Sequence, residues 1–210
     1  MLLPLVTVQT DSSPRVNLGQ GQWLQLEKIS YVDGQGNERW WERCIRKKAS
    51  TASVDAVDIH AILLTPEPEL LLVIQYRPAI GKYCIEFPSG LIDANEEPII
   101  SAQRELKEET GYHVPREQIQ IHATPVCYEP GMTDSCCYVA YTTIDVSKAS
   151  KPEPQREADE WTMQTLSLPL KGLWQKLQDL QASSVQPLLI DSRVYAFAAG
   201  QRAYQQHLVS

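Results

Sequence analysis

The chain has 210 residues, enough for one domain with a sizeable core or one domain plus a small appendage. It is 43% hydrophobic and 21% charged, without repeats or low-complexity tracts. A net charge of −7 excludes a nucleic-acid surface, which needs clustered Lys and Arg, and leaves room for a small anionic substrate only if metal ions offset the acidic site. The five cysteines (Cys44, Cys84, Cys127, Cys136, Cys137) show no CxxC spacing, and His60, His113, His122 and His207 are scattered. No zinc site is expected, and reduced thiols in an intracellular compartment are the simplest reading.

Residues 1–8 are apolar but broken by Pro4 and lack a basic flank, which does not make a signal peptide. No apolar run approaches the roughly 20 residues of a membrane span. A soluble, cytoplasmic protein is expected, with a nuclear or mitochondrial pool left open and no membrane partner. Residues 1–17 read as a poorly anchored tail. From Trp23 the pattern is strand-like, turns at Asp33-Gly34-Gln35-Gly36-Asn37 and returns through 39–46. Such a hairpin is rarely stable alone and must pack on the main domain or on a second copy. The expected division is a tail and β-hairpin over 1–53 and a main domain over 54–210.

In the main domain, apolar runs at 54–64 and 70–76 flank a Pro-rich turn, and a short strand at 84–87 runs into Pro88-Ser89-Gly90. A helix of about a dozen residues is entered near Pro98 and closed by Gly111, with Ile99, Ala102 and Leu106 as its apolar stripe. Strands follow at 119–126 and 136–144, the neighbours Cys136 and Cys137 facing opposite sides. Residues 148–160 form a charged, Pro-containing loop of the kind that is mobile or functional. A helix at 170–180 carries Leu173, Trp174, Leu177 and Leu180, and a last helix begins at Asp191 as N-cap and runs toward Gln206. Strands and helices mix without strict alternation, so the fold class is α+β, a mixed sheet between helices with a small antiparallel N-terminal β-domain.

The informative segment is 90–112. Glu105, Glu108 and Glu109 stand at i, i+3 and i+4 and share one helix face. A solvated acidic face beside Arg104 and Lys107 is the ordinary outcome for a Glu pair. Three acids near a helix C-terminus, where the dipole disfavours them, need a stronger cause. A hard divalent cation is one, since Mg²⁺ binds through a few carboxylates plus substrate phosphate.

Gly90, Glu96, Arg104, Glu105, Leu106, Glu108, Glu109 and Gly111 stand at the spacing of the Nudix hydrolase signature, which the segment resembles at every fixed position; only Tyr112 departs from the usual aliphatic residue. Counting seven of these eight residues as fixed, at about one in fifteen each, chance agreement is on the order of one in a hundred million. The resemblance implies that Glu105, Glu109 and the Ser89 carbonyl bind metal, that Glu108 helps bind or orient, and that Arg104 and Glu96 brace the loop against the helix. It also implies a Nudix fold and two or more Mg²⁺ ions, with Mn²⁺ as a substitute.

Outside the signature, from about Gly21 onward, the chain is similar to ADP-sugar pyrophosphatases. The similarity lies at 21–28, 41–46, 75–78, 83–88, 126–132 and 191–195. It implies hydrolysis of ADP-ribose, and of other ADP-sugars, to AMP and ribose 5-phosphate by a homodimer whose substrate site is shared between subunits. Trp23 and Trp41 then resemble the pair that sandwiches adenine, stacking worth about 1–3 kcal/mol per base in single-strand binding proteins. Adjacent strand residues face opposite sides, so one of Trp40 and Trp41 is expected in a core. Arg46 and Arg77 match positions on phosphate or terminal sugar. Glu42, Leu91 and Glu129 match further substrate contacts, the last usually Asp. Trp41 and Arg46 have opposite strand parity, so both serve one site only through a bulge or through different subunits. Glu160 best matches the glutamate that a mobile loop delivers to the metals and water, with Glu157 the nearest alternative register. Two other readings stand beside this one: a broader hydrolase of nucleotide sugars or oxidised nucleoside diphosphates, and a silent ADP-ribose sensor. A sensor would be expected to have lost a motif glutamate, and this chain has lost none.

Overall fold

A computed structural model describes residues 7–8, 15–47, 54–149 and 152–207. In chain order the strands are β1 (Thr7–Val8), β2 (Val16–Gln20), β3 (Leu24–Val32), β4 (Glu38–Arg46), β5 (Ala56–Leu64), β6 (Glu69–Arg77), β7 (Lys82–Glu86), β8 (Ser89–Leu91), β9 (Gln120–Ile121), β10 (Val126–Cys127), β11 (Cys136–Asp145), β12 (Gln164–Pro169) and β13 (Leu188–Ile190). The helices are α1 (Pro98–Thr110), α2 (Leu173–Ser183) and α3 (Ser192–His207). None among the described residues is long and apolar enough to cross a membrane.

The chain divides into two compact units. The first comprises residues 1–55, 93–95 and 125–137. Its hairpin forms as the sequence predicts: Asp33 accepts from the amides of Gln35 and Asn37, both at 2.9 Å, and from Arg39 Nε at 3.0 Å. The described part of the expected tail, by contrast, is strand. Thr7–Val8 and Val16–Gln20 both pair antiparallel with β3, because an unpaired β3 edge would leave its amides and carbonyls without partners. The remainder of 1–14 lies outside the described residues.

The β3–β4 register runs unbroken from Leu24↔Arg46 to Val32↔Glu38. Within residues 15–47 the buried side chains are polar: Glu27, which receives Arg43 Nε at 2.7 Å, and Ser30. The expectation that one of Trp40 and Trp41 is core does not hold. They are 40% and 50% exposed, because the described residues of this unit include no helix to cover either face of its sheet.

The second unit comprises 56–92, 96–124 and 138–210. Its sheet runs β11-β5-β6-β7-β13, with β12 on β6, β8 on β5 and β9 on β11. β13 pairs with β7 in parallel, whereas β5–β6, β6–β7 and β12–β6 are antiparallel. The expected mixed sheet between helices is what forms. Val57, Ile59, Ala61, Leu63 and Leu71 pack with Ala102 and Leu106 of α1. Leu70, Leu72, Ile85 and Phe87 pack with Leu173 and Leu177 of α2 and Val194 and Ala198 of α3. Alternation along β6 sends neighbouring leucines to opposite faces.

The strand expected over 119–126 is instead two pairs, Gln120–Ile121 and Val126–Cys127, since His122 Nδ1 contacts the Thr124 carbonyl at 2.7 Å and Pro125 cannot donate to a ladder. His60 is a packing residue: its ring stacks on Phe87 at 3.9 Å, and burial pushes its pKa down to about 4.

Gly111 ends α1 at φ 79°, donating to the Lys107 carbonyl. A Cβ there would overlap the backbone of Pro152 and Glu153. Gly111→Ala meets both left-handed strain and that overlap, so it should cost at least about 2 kcal/mol in denaturant unfolding. A smaller loss would mean that the 152–153 backbone yields freely.

Candidate active site

The acidic face of α1 lies against β8 and the turn before it. Glu109 is 1% exposed and accepts the Ser89 amide at 3.0 Å. Glu105 is 8% exposed, and a Cβ on Gly90 would overlap its carboxylate. Gly90 is therefore required by close approach, not by a turn. Arg104 reaches across the same face. It holds Glu96 through Nε and Nη2 at 3.0 and 2.9 Å, Glu105 at 2.6 Å, Glu108 at 3.1 Å and the Leu91 carbonyl at 3.0 Å. One guanidinium thus ties the 91–96 loop to the helix. It also pairs with Glu105 and Glu108 on the same helix.

Burial raises the Glu105 pKa to about 7 against the pull of Arg104, with Glu108 and Glu160 adding repulsion. Glu109 is pushed well above the ordinary carboxylate range, first by burial and then by Glu105 and Glu160, although the Ser89 amide opposes the shift. Glu160 therefore acts on both motif carboxylates. Glu157 and Glu160 form a reciprocal capping box around the 3₁₀ turn Ala158–Glu160.

The loop is fastened to the end of α1. The Gln155 amide donates to the Glu108 carbonyl at 2.8 Å, and Arg156 Nη2 and Thr165 Oγ1 donate to the Glu109 carbonyl at 3.1 and 3.0 Å. Thr162 Oγ1 accepts the Tyr76 amide at 3.1 Å. Arg156, Thr165 and Thr162 escape a reading by motif, because they act on backbone from distant positions. Arg77 donates to Glu86 at 2.8 and 2.5 Å and lies near enough to Glu109 to favour its charge. Glu86, buried on β7, was also not foreseen; its place in the stretch 83–88 was the available signal. Leu91 is exposed.

The other predicted contacts lie in the first unit. Trp23 is 67% exposed just before β3, and Trp41 donates through Nε1 to the Gly131 carbonyl at 3.2 Å. Glu42 and Arg46 are exposed on β4, and Glu129 is exposed between β10 and β11. The β4 register contains no bulge, so Trp41 and Arg46 do point to opposite faces.

Residues 55–185 match the NUDIX domain family. The chain is 35% identical to the mouse ADP-sugar pyrophosphatase over 90% of its own length and 88% of that protein. It is 36% identical to an uncharacterized Nudix hydrolase of Schizosaccharomyces pombe over 90% of both chains. The chain belongs to the Nudix hydrolases. The Saccharomyces cerevisiae ADP-ribose pyrophosphatase is 38% identical over 67% of this chain and 62% of that one. A crystal structure of an ADP compounds hydrolase has the same fold, with a TM-score of 0.65 at 18% identity over 99% of this chain and 98% of that one.

The donor set of this Nudix hydrolase fits a hard cation. Two nearly buried carboxylates repel one another across one helix turn, and Mg²⁺ takes oxygen ligands of this kind. Among the described residues, no three acidic, histidine or cysteine side chains converge as a finished cage. Arg104 occupies Glu105 and Glu108, and the Ser89 amide occupies Glu109.

Both motif carboxyls have folded-state pKa values above their unfolded values. Their contribution to stability is complete below about pH 4.5 and is lost as pH rises through about 7 for Glu105 and through the raised pKa of Glu109. The melting temperature of metal-free protein in EDTA should fall between about pH 5 and pH 8, and Mg²⁺ should restore more at the upper end. A flat profile that Mg²⁺ does not change would contradict this.

Proposed function

We propose that this protein is a Mg²⁺-dependent ADP-ribose pyrophosphatase that also takes other ADP-sugars, releasing AMP and the sugar phosphate. The observation that carries the reading is the pair of near-buried carboxylates, Glu105 and Glu109, on a helix face pressed against Ser89 and Gly90. The names of the mouse and Saccharomyces cerevisiae relatives supply the substrate class.

Glu105, Glu109 and the Ser89 carbonyl would hold two or more Mg²⁺ ions, or Mn²⁺ in their place, with Glu108 orienting and Glu160 joining as a further ligand. When bound, the ions offset pyrophosphate charge and polarise the reacting phosphorus. Arg104 and Glu96 keep the helix face and the 91–96 loop in register. Glu160 accepts the proton of the attacking water or orients it, a role that its influence on both motif carboxylates supports. Arg77, held by Glu86, donates to phosphate oxygens, while Leu91 and Glu129 contact the rest of the substrate.

Trp23 and Trp41 stack the adenine, with Glu42 and Arg46 beside them. Because Trp41 and Arg46 face opposite sides of an unbroken strand, we assign them to the sites of two different subunits in a homodimer. The dimer is further supported by Leu24, Leu26, Trp40 and Trp41, all exposed on one small sheet, with Trp23 exposed at its edge just before β3. The protein would work in the cytoplasm.

Stacking does not read base edges, so a broader substrate range is the second reading. The deciding experiment is a panel of ADP-ribose, other ADP-sugars, nucleotide sugars of other bases and oxidised nucleoside diphosphates with Mg²⁺. ADP-ribose should give AMP and ribose 5-phosphate at the highest kcat/KM, and Glu109→Gln should lose at least about 10²-fold in turnover with its fold intact. A preference for a non-adenine substrate would overturn the assignment to ADP-ribose, and a near-normal Glu109→Gln rate would overturn the metal face.

Glu160→Gln should lower kcat far more than it raises KM. If Glu157→Gln does so instead, the water is handled three residues earlier in the loop.

A further inference from the structure

The hairpin that carries Glu129 is closed at its base by two cysteines. Cys127 of β10 and Cys136 of β11 are direct antiparallel partners, and neither takes part in the proposed chemistry. The Cys136 amide donates to Asp55 Oδ2 at 3.0 Å, and its carbonyl accepts the Asp55 amide at 3.0 Å. Both backbone groups of Cys136 are thus turned away from Cys127. The next pair outward is joined by the Tyr128 amide and the Ser135 carbonyl at 3.1 Å. Cys127 and Cys136 are therefore a non-hydrogen-bonded pair, the closer of the two antiparallel arrangements, with Cα atoms about 4.5 Å apart and both side chains on one face. A disulfide accepts Cα separations of roughly 4.4–6.8 Å. Cys137 points to the other face and is buried, whereas Cys127 is exposed and Cys136 partly so.

We propose that Cys127 and Cys136, carried here as thiols, are a modification site at which peroxide installs a reversible intrachain disulfide. Hydrogen peroxide oxidises the exposed Cys127 thiol to a sulfenic acid and is reduced to one water. The Cys136 sulfur then attacks the Cys127 sulfur, its proton leaves with the hydroxyl as a second water, and the S–S bond forms. The two thiols supply both electrons, and a small thiol restores them.

The ring so closed holds the loop 128–135. Within it the Gly131 carbonyl accepts Trp41 Nε1, and the Met132 carbonyl accepts the Cys44 amide at 2.8 Å. Oxidation would clamp these contacts and restrict the excursions of Glu129.

Full-length protein treated with hydrogen peroxide should lose about 2 Da, recovered by dithiothreitol. Asp-N cleavage before Asp134 should then leave the Cys127 peptide attached to the Cys136 peptide until reduction. Hydrogen exchange across 128–135 should slow in the oxidised form. Cys127→Ser and Cys136→Ser should each abolish the mass loss and the linked peptides. Persistence of the 2 Da loss in either variant, sulfinic acid on Cys127 without a crosslink, disulfide-linked dimers on a non-reducing gel, or unchanged exchange across 128–135 would each overturn the proposal.

Discussion

Glu109 is an almost wholly buried carboxylate, and a carboxylate at that depth is unfavourable unless donors or cations share its charge. One backbone amide, from Ser89, is its direct partner, and Arg77 helps from a distance. The rest of the local architecture follows from keeping that group where it is. β8 must approach α1 so closely that position 90 has no room for a side chain. Arg104 must restrain the second carboxylate, Glu105, and the helix must stop at Gly111 so that a loop can cross over its end. Two carboxylates held this close and this deep repel one another, and a divalent cation bound as proposed above would relieve that repulsion.

The core of the second unit was legible because its periodicities are strong. The α1 stripe, the alternating β5 residues and the leucines of α2 all occupy the places their spacing predicts. The carboxylate face was legible for the same reason, since i, i+3, i+4 spacing fixes a shared direction whatever surrounds it. Position-specific backbone contacts were not. Arg156 and Thr165 meet at the Glu109 carbonyl from different parts of the chain, and no local pattern announces that. The β9–β10 break was missed because an apolar run looks like a strand until a proline interrupts its ladder.

The N-terminal sheet was misread in the opposite direction. Its hairpin and turn were evident from Asp33 through Asn37, but exposure cannot be read from an alternating strand when no helix packs on its sheet among the described residues of its own unit. Trp40 and Trp41 lie on opposite faces and both reach solvent, so neither is committed to a core. A sheet whose buried side chains over 15–47 are Glu27 and Ser30 derives its order from hydrogen bonds and ion pairs, Arg43–Glu27 and Arg39–Asp33 among them, more than from apolar burial. Aromatic side chains left on both faces are then available for flat ligands and for other protein surfaces.

The two anchors on the 152–163 segment have a kinematic implication. Arg156 is tied to the Glu109 carbonyl, and Thr162 is tied to the Tyr76 amide, with Glu160 between them. Five residues separate the anchors, so the intervening chain behaves as a short bail hinged at both ends and not as a free flap. While both anchors hold, the displacement of Glu160 is bounded by the length of the chain between them, at about 3.3–3.6 Å of reach per residue. Lengthening the bail by an inserted glycine would widen the arc without touching any charged group, which separates the geometry of delivery from the chemistry delivered.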